Sequence, residues 1–238
     1  MTDHIVSSFD AEMKALSGGL VDMGERAVEQ LRLAVDAFDR RDLALAAIVR
    51  TADAEIDELY DATEQRVLDI LALRNPVAID LREVVSAAQI AREFERIGDY
   101  AKNIAKRTAG VLAQPQSGLD REIVEMGALT LSHVKDVVRA YRTRDADLSL
   151  AVWHSDEEID GACNRIFSDV LSAMSANKGD VGASAHMLFV AKNLERIGDH
   201  ATNVAESIHF ILTGQKMNEA RPKRDVTGAD NAHISKNP

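Results

Sequence analysis

The sequence predicts an all-α protein built from two tandem three-helix bundles that are related by an internal repeat. Three observations support this fold class: the composition, long segments with apolar residues at helical spacing, and a motif that occurs twice about a hundred residues apart. The chain has 238 residues with only 4 prolines and 4% aromatic residues. A chain rich in alanine, leucine and charged residues, with few breakers, favours helices over strands.

The first half of the chain contains two clear helix breaks. The segment FDRRD, residues 38–42, ends the first helix, and Asn75-Pro76 ends the second because the residue before a proline disfavours helix. We therefore predict three helices over about residues 8–39, 42–74 and 77–110. These helices form a first bundle within residues 1–112.

The second half repeats this organisation after a linker. Residues 113–118 contain Gln, Pro, Ser and Gly, which is typical of a connection between bundles. We predict three further helices over about residues 119–142, 145–176 and 181–212. They form a second bundle within residues 119–213. Residues 214–238 show no apolar periodicity, so we expect them to be a disordered tail.

Charge and cysteine content restrict the class of protein. The formal net charge is −11, so no basic stripe is available for nucleic acid, whereas basic partner proteins or cations suit the chain better. Cys163 is the only cysteine, which rules out an internal disulfide and suggests a reducing compartment. The first residues do not resemble a signal peptide, and no apolar run approaches the roughly 18 residues of a membrane span. We expect a cytoplasmic protein.

The segments FERIGDYAKNI (94–104) and LERIGDHATNV (194–204) carry the repeated motif. Each places an acid, a second acid and an amide four residues apart on one helical face, where like charges repel. A glycine in mid-helix costs about 1 kcal/mol relative to alanine, so Gly98 and Gly198 indicate close approach of a neighbouring helix. The candidate ligands in the two copies are Glu95, Asp99, Asn103, Glu195, Asp199 and Asn203.

The second helix of each half carries a matching polar row beside its apolar stripe. These candidate ligands are Asp53, Asp57, Asp61, Asp156, Asp160 and Asn164. If the second and third helices pack side by side, the two rows converge into oxygen clusters of the kind that bind magnesium, manganese or iron. We expect each cluster to be exposed in the groove between these helices. The alternative is a solvated acidic face that nearby arginines neutralise.

Signals for catalysis are weak. The histidines are best explained as surface or packing residues, although His200 directly follows Asp199 and is the most plausible additional ligand among them. The chain lacks the Glu-x-x-His pairs of di-iron bundles, an HExxH motif, a glycine-rich phosphate loop and a nucleophile elbow. Three classes stay open: a regulator that binds proteins, a metal-dependent enzyme such as a phosphohydrolase, and a metal-buffering protein.

Over about residues 4–213 the chain resembles the PhoU family of phosphate-signalling proteins. The resemblance rests on the duplicated ERIGD, the DxEID segments that begin at Asp53 and Asp156, the opening HxxxxFxxE from His4, and the two three-helix repeats. It implies a spectrin-like, often dimeric protein that is not an enzyme. Some members carry surface clusters at these motifs for divalent or trivalent metal ions, such as Mg, Mn, Fe or Zn. Asn164 departs from the pattern, because the first half has Asp61 there.

The resemblance also implies partners and a role. It predicts negative regulation of phosphate uptake, through contact with the ATPase of the phosphate ABC transporter. It likewise predicts damping of the phosphate-sensing histidine kinase when phosphate is plentiful. The protein would form a homodimer, bind no nucleic acid and reach the membrane only through these partners.

Overall fold

A computed structural model describes residues 2–112, 115–176 and 180–217, with side chains from Ser8 onward. All regular secondary structure in these ranges is helical, which confirms the predicted all-α class. The six long helices are α1 (Thr2–Arg40), α2 (Leu43–Arg74), α3 (Ala78–Arg107), α4 (Gly118–Thr143), α5 (Ala146–Ser175) and α6 (Val181–Thr213). A single 3-10 turn, Thr108–Val111, follows α3.

The same local chemistry breaks the first helix of each half. Arg41 and Arg144 both adopt a left-handed conformation with φ of 53°. The next residue is an aspartate that caps the following helix: Asp42 accepts from the backbone amides of α2, and Asp145 accepts from the Leu148 amide at 2.9 Å. These caps satisfy amides that have no partner within the helix. The predicted breaks between the first and second helices are thereby confirmed.

The two halves pack against each other through two antiparallel helix pairs. In the α1–α4 pair, Gly24 packs so closely on α4 that a methyl group added to it, as in alanine, would lie 2.7 Å from Val138 Cγ2. Arg41, just after the end of α1, contacts Asp120 at the start of α4. In the α3–α6 pair, the Arg107 guanidinium lies 4.4 Å from the centre of the Phe189 ring. Helix α2 packs on α1 and α3, and α5 packs on α4 and α6, so α2 and α5 lie on opposite outer sides.

The apolar core is continuous across both halves. It includes Leu31 and Phe94 of the first half as well as Val138 and Leu194 of the second. The division into two bundles at residues 113–118 therefore stays a prediction about the chain, and its residues 113–114 lie outside the described ranges. The predicted tail also lies largely outside them, since the description ends at Met217. None of the described helices contains an apolar stretch long enough to cross a membrane.

Candidate functional site

Glycines allow the second and third helices of each half to approach closely. A methyl group at Gly98 would lie 2.9 Å from Ile56 Cδ1 of α2, and one at Gly198 would lie 2.8 Å from Ile159 Cδ1 of α5. Both distances are shorter than a normal contact between carbon atoms. The packing reason predicted for the two glycines is confirmed, and the two polar rows of each half meet at this seam.

Lys102 lies within the first cluster, which we define as the α2–α3 group of Asp53, Asp57, Asp61, Glu95, Asp99 and Asn103. Its Nζ is 2.9 Å from Asp99 Oδ1 and also contacts the buried carboxylate of Asp53. Gln30 of α1 donates to the other oxygen of Asp53 at 3.0 Å. Arg96 pairs with Asp99 and Glu95 at 3.4 and 3.3 Å. The protein itself thus supplies cations to this cluster.

The carboxylates of the first cluster still repel one another. Burial, followed by the charge of Asp53, raises the pKa of Asp57, although Lys102 opposes the shift. Burial also raises the pKa of Glu95, with Arg96 opposing it and Asp99 adding to it. The α2 and α3 rows lie close together, because Lys102 of α3 contacts Asp53 of α2 as well as Asp99 of its own helix. Opposite charges from Lys102 and Arg96 only partly compensate.

The first cluster is partly exposed, as the sequence predicts. Asp57 and Asp61 are exposed, Glu95 and Asp99 are half-buried, and only Asp53 is buried. Asn103 is half-buried and accepts a hydrogen bond from Lys106 at 3.3 Å. Its amide is therefore part of an exposed polar contact on α3.

The second cluster comprises Asp156, Asp160, Asn164, Glu195, Asp199 and Asn203 and is placed more deeply. Asp156, Asp160 and Glu195 are 1%, 4% and 6% exposed, so the expectation of an exposed second cluster is wrong for these three. Thr202 stands where the first half has Lys102, and its hydroxyl donates to Asp156 at 2.9 Å. Asn164 and Asp199 are half-buried at the edge.

Two cationic or polar side chains accompany the second cluster. Lys192 Nζ lies 3.0 Å from Glu195 Oε1. His133 of α4 is the counterpart of Gln30 and is 5% exposed. Burial lowers the pKa of His133, while the nearby Asp156 opposes this shift. The histidine is a buried neighbour of the cluster, which the sequence analysis treated only as a surface or packing residue.

Asn203 of the second cluster makes a hydrogen bond to the first half. Its Nδ2 donates to Glu93 Oε2 at 3.0 Å, and His200 Nδ1 lies 2.6 Å from the same oxygen. The Tyr100 ring stacks on His200 with centroids 5.4 Å apart. Burial raises the pKa of Glu93, but the hydrogen bonds from His200 and Asn203 outweigh burial and hold it below 4.5. Asn203 and His200 therefore join α3 to α6.

A comparison with protein families matches the chain twice, once in each half. A model described as the PhoU domain matches residues 20–108 and 123–208, one match for each half. The chain belongs to the PhoU family. The two matches contain both copies of the ERIGD motif, the contact between α2 and α3, and the contact between α5 and α6.

Relatives of known name agree with this assignment over nearly the whole chain. A phosphate-specific transport system accessory protein PhoU homolog from Caulobacter vibrioides is 44% identical over 95% of this chain and 99% of its own length. A homolog of the same name from Xylella fastidiosa is 38% identical over 94% of this chain and 93% of its own. The crystal structure of PhoU from Pseudomonas aeruginosa superposes with a TM-score of 0.84, at 29% identity, over 87% of this chain and all of that one.

The first cluster of this PhoU-family chain does not fit a bound metal ion as it stands. In the described ranges no three Asp, Glu, His or Cys side chains have the spacing of a metal site. Lys102 lies between Asp53 and Asp99, where a metal ion bound by both carboxylates would lie. A metal ion there has to displace the ammonium group. The pKa values of Asp57 and Glu95 are raised mainly by burial, and neighbouring carboxylates add to the shift.

Proposed function

We propose that this PhoU-family chain is a regulator of phosphate transport that acts by binding other proteins and is not an enzyme. The observation that carries the proposal is the 44% identity, over 95% of the chain, to a relative named as an accessory protein of the phosphate-specific transport system. A second relative, from Streptococcus pneumoniae, is titled a phosphate transport system regulatory protein and superposes with a TM-score of 0.82 at 25% identity.

The proposed partners are the ATPase of the phosphate ABC transporter and the phosphate-sensing histidine kinase. The chain lowers transporter activity and damps the kinase when phosphate is plentiful, as a cytoplasmic homodimer that reaches the membrane through these partners. The net charge of −11 supports this proposal, because an acidic surface attracts basic surfaces of other proteins.

Pull-down of the full chain with the ATPase subunit and the kinase, beside phosphatase assays with Mg, Mn, Fe and Zn, tests the proposal. We expect the ATPase, the kinase or both to be retained, and no metal-dependent turnover of phosphate esters. Turnover that depends on metal, without retention of either protein, would instead support a phosphohydrolase. Many ions bound per chain with little selectivity would support metal buffering.

We also propose that divalent or trivalent cations bind the carboxylate clusters as regulatory or stabilising ligands. In the first cluster the ion competes with Lys102 for Asp53 and Asp99, which makes binding there weak. In the second cluster the hydroxyl of Thr202 stands in place of that ammonium group. Titration calorimetry with manganese, on the wild type and a Lys102→Thr variant, measures this competition.

A further inference from the structure

A groove runs between α4 and α5 on the outer side of the second half. It consists of two adjoining cavities of about 350 and 330 Å³ that share Leu129 and Arg165. Apolar side chains line its floor, including the buried Met126 and Ile166 and the half-buried Leu129. Its rim is acidic and comprises Glu122, Glu125, Glu157, Glu158 and Asp169.

The corresponding groove of the first half holds two arginines of the chain itself. Arg66 of α2 reaches across to α1, where its Nη1 donates to the carbonyl of Ala15 at 3.1 Å. The same nitrogen would lie 3.4 Å from a methyl group at Gly19, so the guanidinium lies directly over α1. Arg26 of α1 reaches the other way and pairs with Glu55 of α2 at 2.7 Å.

Both arginines are replaced in the second half. Met23 and Met126 are 103 positions apart and occupy equivalent buried places. At the same offset, Asp169 stands in place of Arg66 and Leu129 in place of Arg26. At these two positions the α4–α5 groove carries a carboxylate and an aliphatic side chain instead of cations, whereas Arg165 is gained where the first half has Ala62. The first half shows that a guanidinium fits such a groove, and the second half does not supply one at these positions.

Two arginines near the groove offset only part of its negative charge: Arg165, which stands where the first half has Ala62, and Arg121, which pairs with Glu125 at 2.9 Å. Arg165 folds back along α5, so that its Nη1 would lie 3.5 Å from a methyl group at Gly161. It is the one basic side chain in a lining that also contains five carboxylates. An apolar floor with a negative rim is complementary to a helix that presents an aliphatic side chain flanked by basic ones.

We propose that the α4–α5 groove binds a helical segment of a partner protein that presents arginines beside a leucine-like side chain. One arginine of the partner takes the place that Arg66 takes in the first half, and the aliphatic side chain packs on Leu129. This inference rests on the proposed function in one respect only, namely that the chain works by binding proteins.

A designed helical peptide with Arg, Leu and Arg at positions i, i+4 and i+8 serves as the probe. Its affinity for the full-length chain is measured by fluorescence anisotropy at physiological salt. Asp169→Arg, which installs the arginine of the first half, should weaken binding at least tenfold. The matched control is Asp69→Arg, the same charge change at an exposed position of α2, and it should weaken binding less than twofold.

Two results would overturn the inference. One is the absence of measurable binding of the peptide to the wild type, and the other is equal weakening by Asp169→Arg and Asp69→Arg, which would indicate only attraction to the net charge. Thermal melts of both variants verify that each is folded. The peptide experiment tests whether the groove binds a basic helix, whereas the pull-down tests the role in phosphate transport. Failure of the groove proposal is therefore distinguishable from failure of the proposed function.

Discussion

The ammonium group of Lys102 lies 2.9 Å from Asp99 Oδ1 and also contacts the buried carboxylate of Asp53. This contact joins α3 to α2. In the second half Thr202 occupies the equivalent position and gives Asp156 a neutral hydrogen bond. The two copies of one motif are therefore stabilised differently. A charged side chain bridges the first, and a buried hydroxyl contributes to the second.

Replacing Lys102 by threonine, its counterpart in the second half, should destabilise the metal-free protein. The change replaces the charged partner of the buried Asp53 carboxylate by neutral donors, namely Gln30 and a hydroxyl like that of Thr202, and loss of the charge-assisted contact costs about 1–3 kcal/mol. Urea unfolding in the presence of a chelator measures the loss. Manganese should then raise the melting temperature of Lys102→Thr more than that of the wild type, because the ion no longer competes with the ammonium group.

The control for this experiment is Lys106→Thr, one turn further along α3. Lys106 is exposed and contacts Asn103, so its removal should change stability by less than about 0.5 kcal/mol. Equal losses for the two lysine variants would contradict a special role of Lys102. An equal response of wild type and Lys102→Thr to manganese would show that these carboxylates are not the ligands.

Substituting the seam glycines should separate the cost of packing from the gain in helix propensity. Alanine at Gly98 or Gly198 places a methyl group 2.9 or 2.8 Å from an isoleucine of the neighbouring helix, and such overpacking costs about 1–3 kcal/mol. At Gly18 nothing lies within 4 Å of that methyl group, so the same change should stabilise by about 0.5–1 kcal/mol. Denaturant unfolding of the three variants checks this, and similar stabilisation at all three sites would argue against a tight seam.

The Glu93 carboxylate should be important for the contact between the two halves. It accepts hydrogen bonds from His200 and Asn203 of α6, and Glu93→Gln weakens both, at a cost of about 1–2 kcal/mol. Glu58→Gln, an exposed position on α2, serves as the control and should be nearly neutral. Hydrogen exchange along α3 and α6 should accelerate only in the Glu93 variant. Unchanged exchange there would show that the contact does not hold the halves together.

Tyr141 should make the protein sensitive to alkaline conditions. Burial raises the pKa of its phenol to about 12, from the ordinary value of 10.0. The neutral form is favoured in the folded state, so its stabilising contribution is complete below pH 10 and is lost as the pH rises towards 12. Between pH 8 and pH 11, urea unfolding should show Tyr141→Phe gaining about 1 kcal/mol relative to the wild type. A constant difference between the two proteins would contradict this assignment.

Local chemistry explains why much of the fold could be predicted from the sequence. The aspartates at positions 42 and 145 and the proline at 76 mark helix boundaries, and the apolar spacing defines each buried face. The approach of α2 to α3 was predictable from Gly98, because only a close neighbour explains a glycine there. Lys102 was missed, although it lies seven residues after Glu95 and hence on nearly the same helical face.

Other features depend on how the two halves cross, for which the sequence contains no local signal. Glu93 meets Asn203 because α3 and α6 run antiparallel. Asn203 has the spacing of a ligand in its motif, yet its amide forms a hydrogen bond with the other half of the chain. Asp160 is likewise buried although its counterpart Asp57 in the first half is exposed. Helical periodicity places a side chain on a face but does not tell how deeply a neighbouring helix covers it.

Phosphate uptake by cells that lack this chain tests the central claim most directly. The initial rate of labelled phosphate uptake is measured at high external phosphate in cells with the gene, without it, and with it restored. If the chain is a negative regulator of the phosphate transporter, uptake should rise when the gene is absent and return to the original rate when it is restored. An uptake rate that is the same in all three strains, or that falls when the gene is absent, would contradict the account.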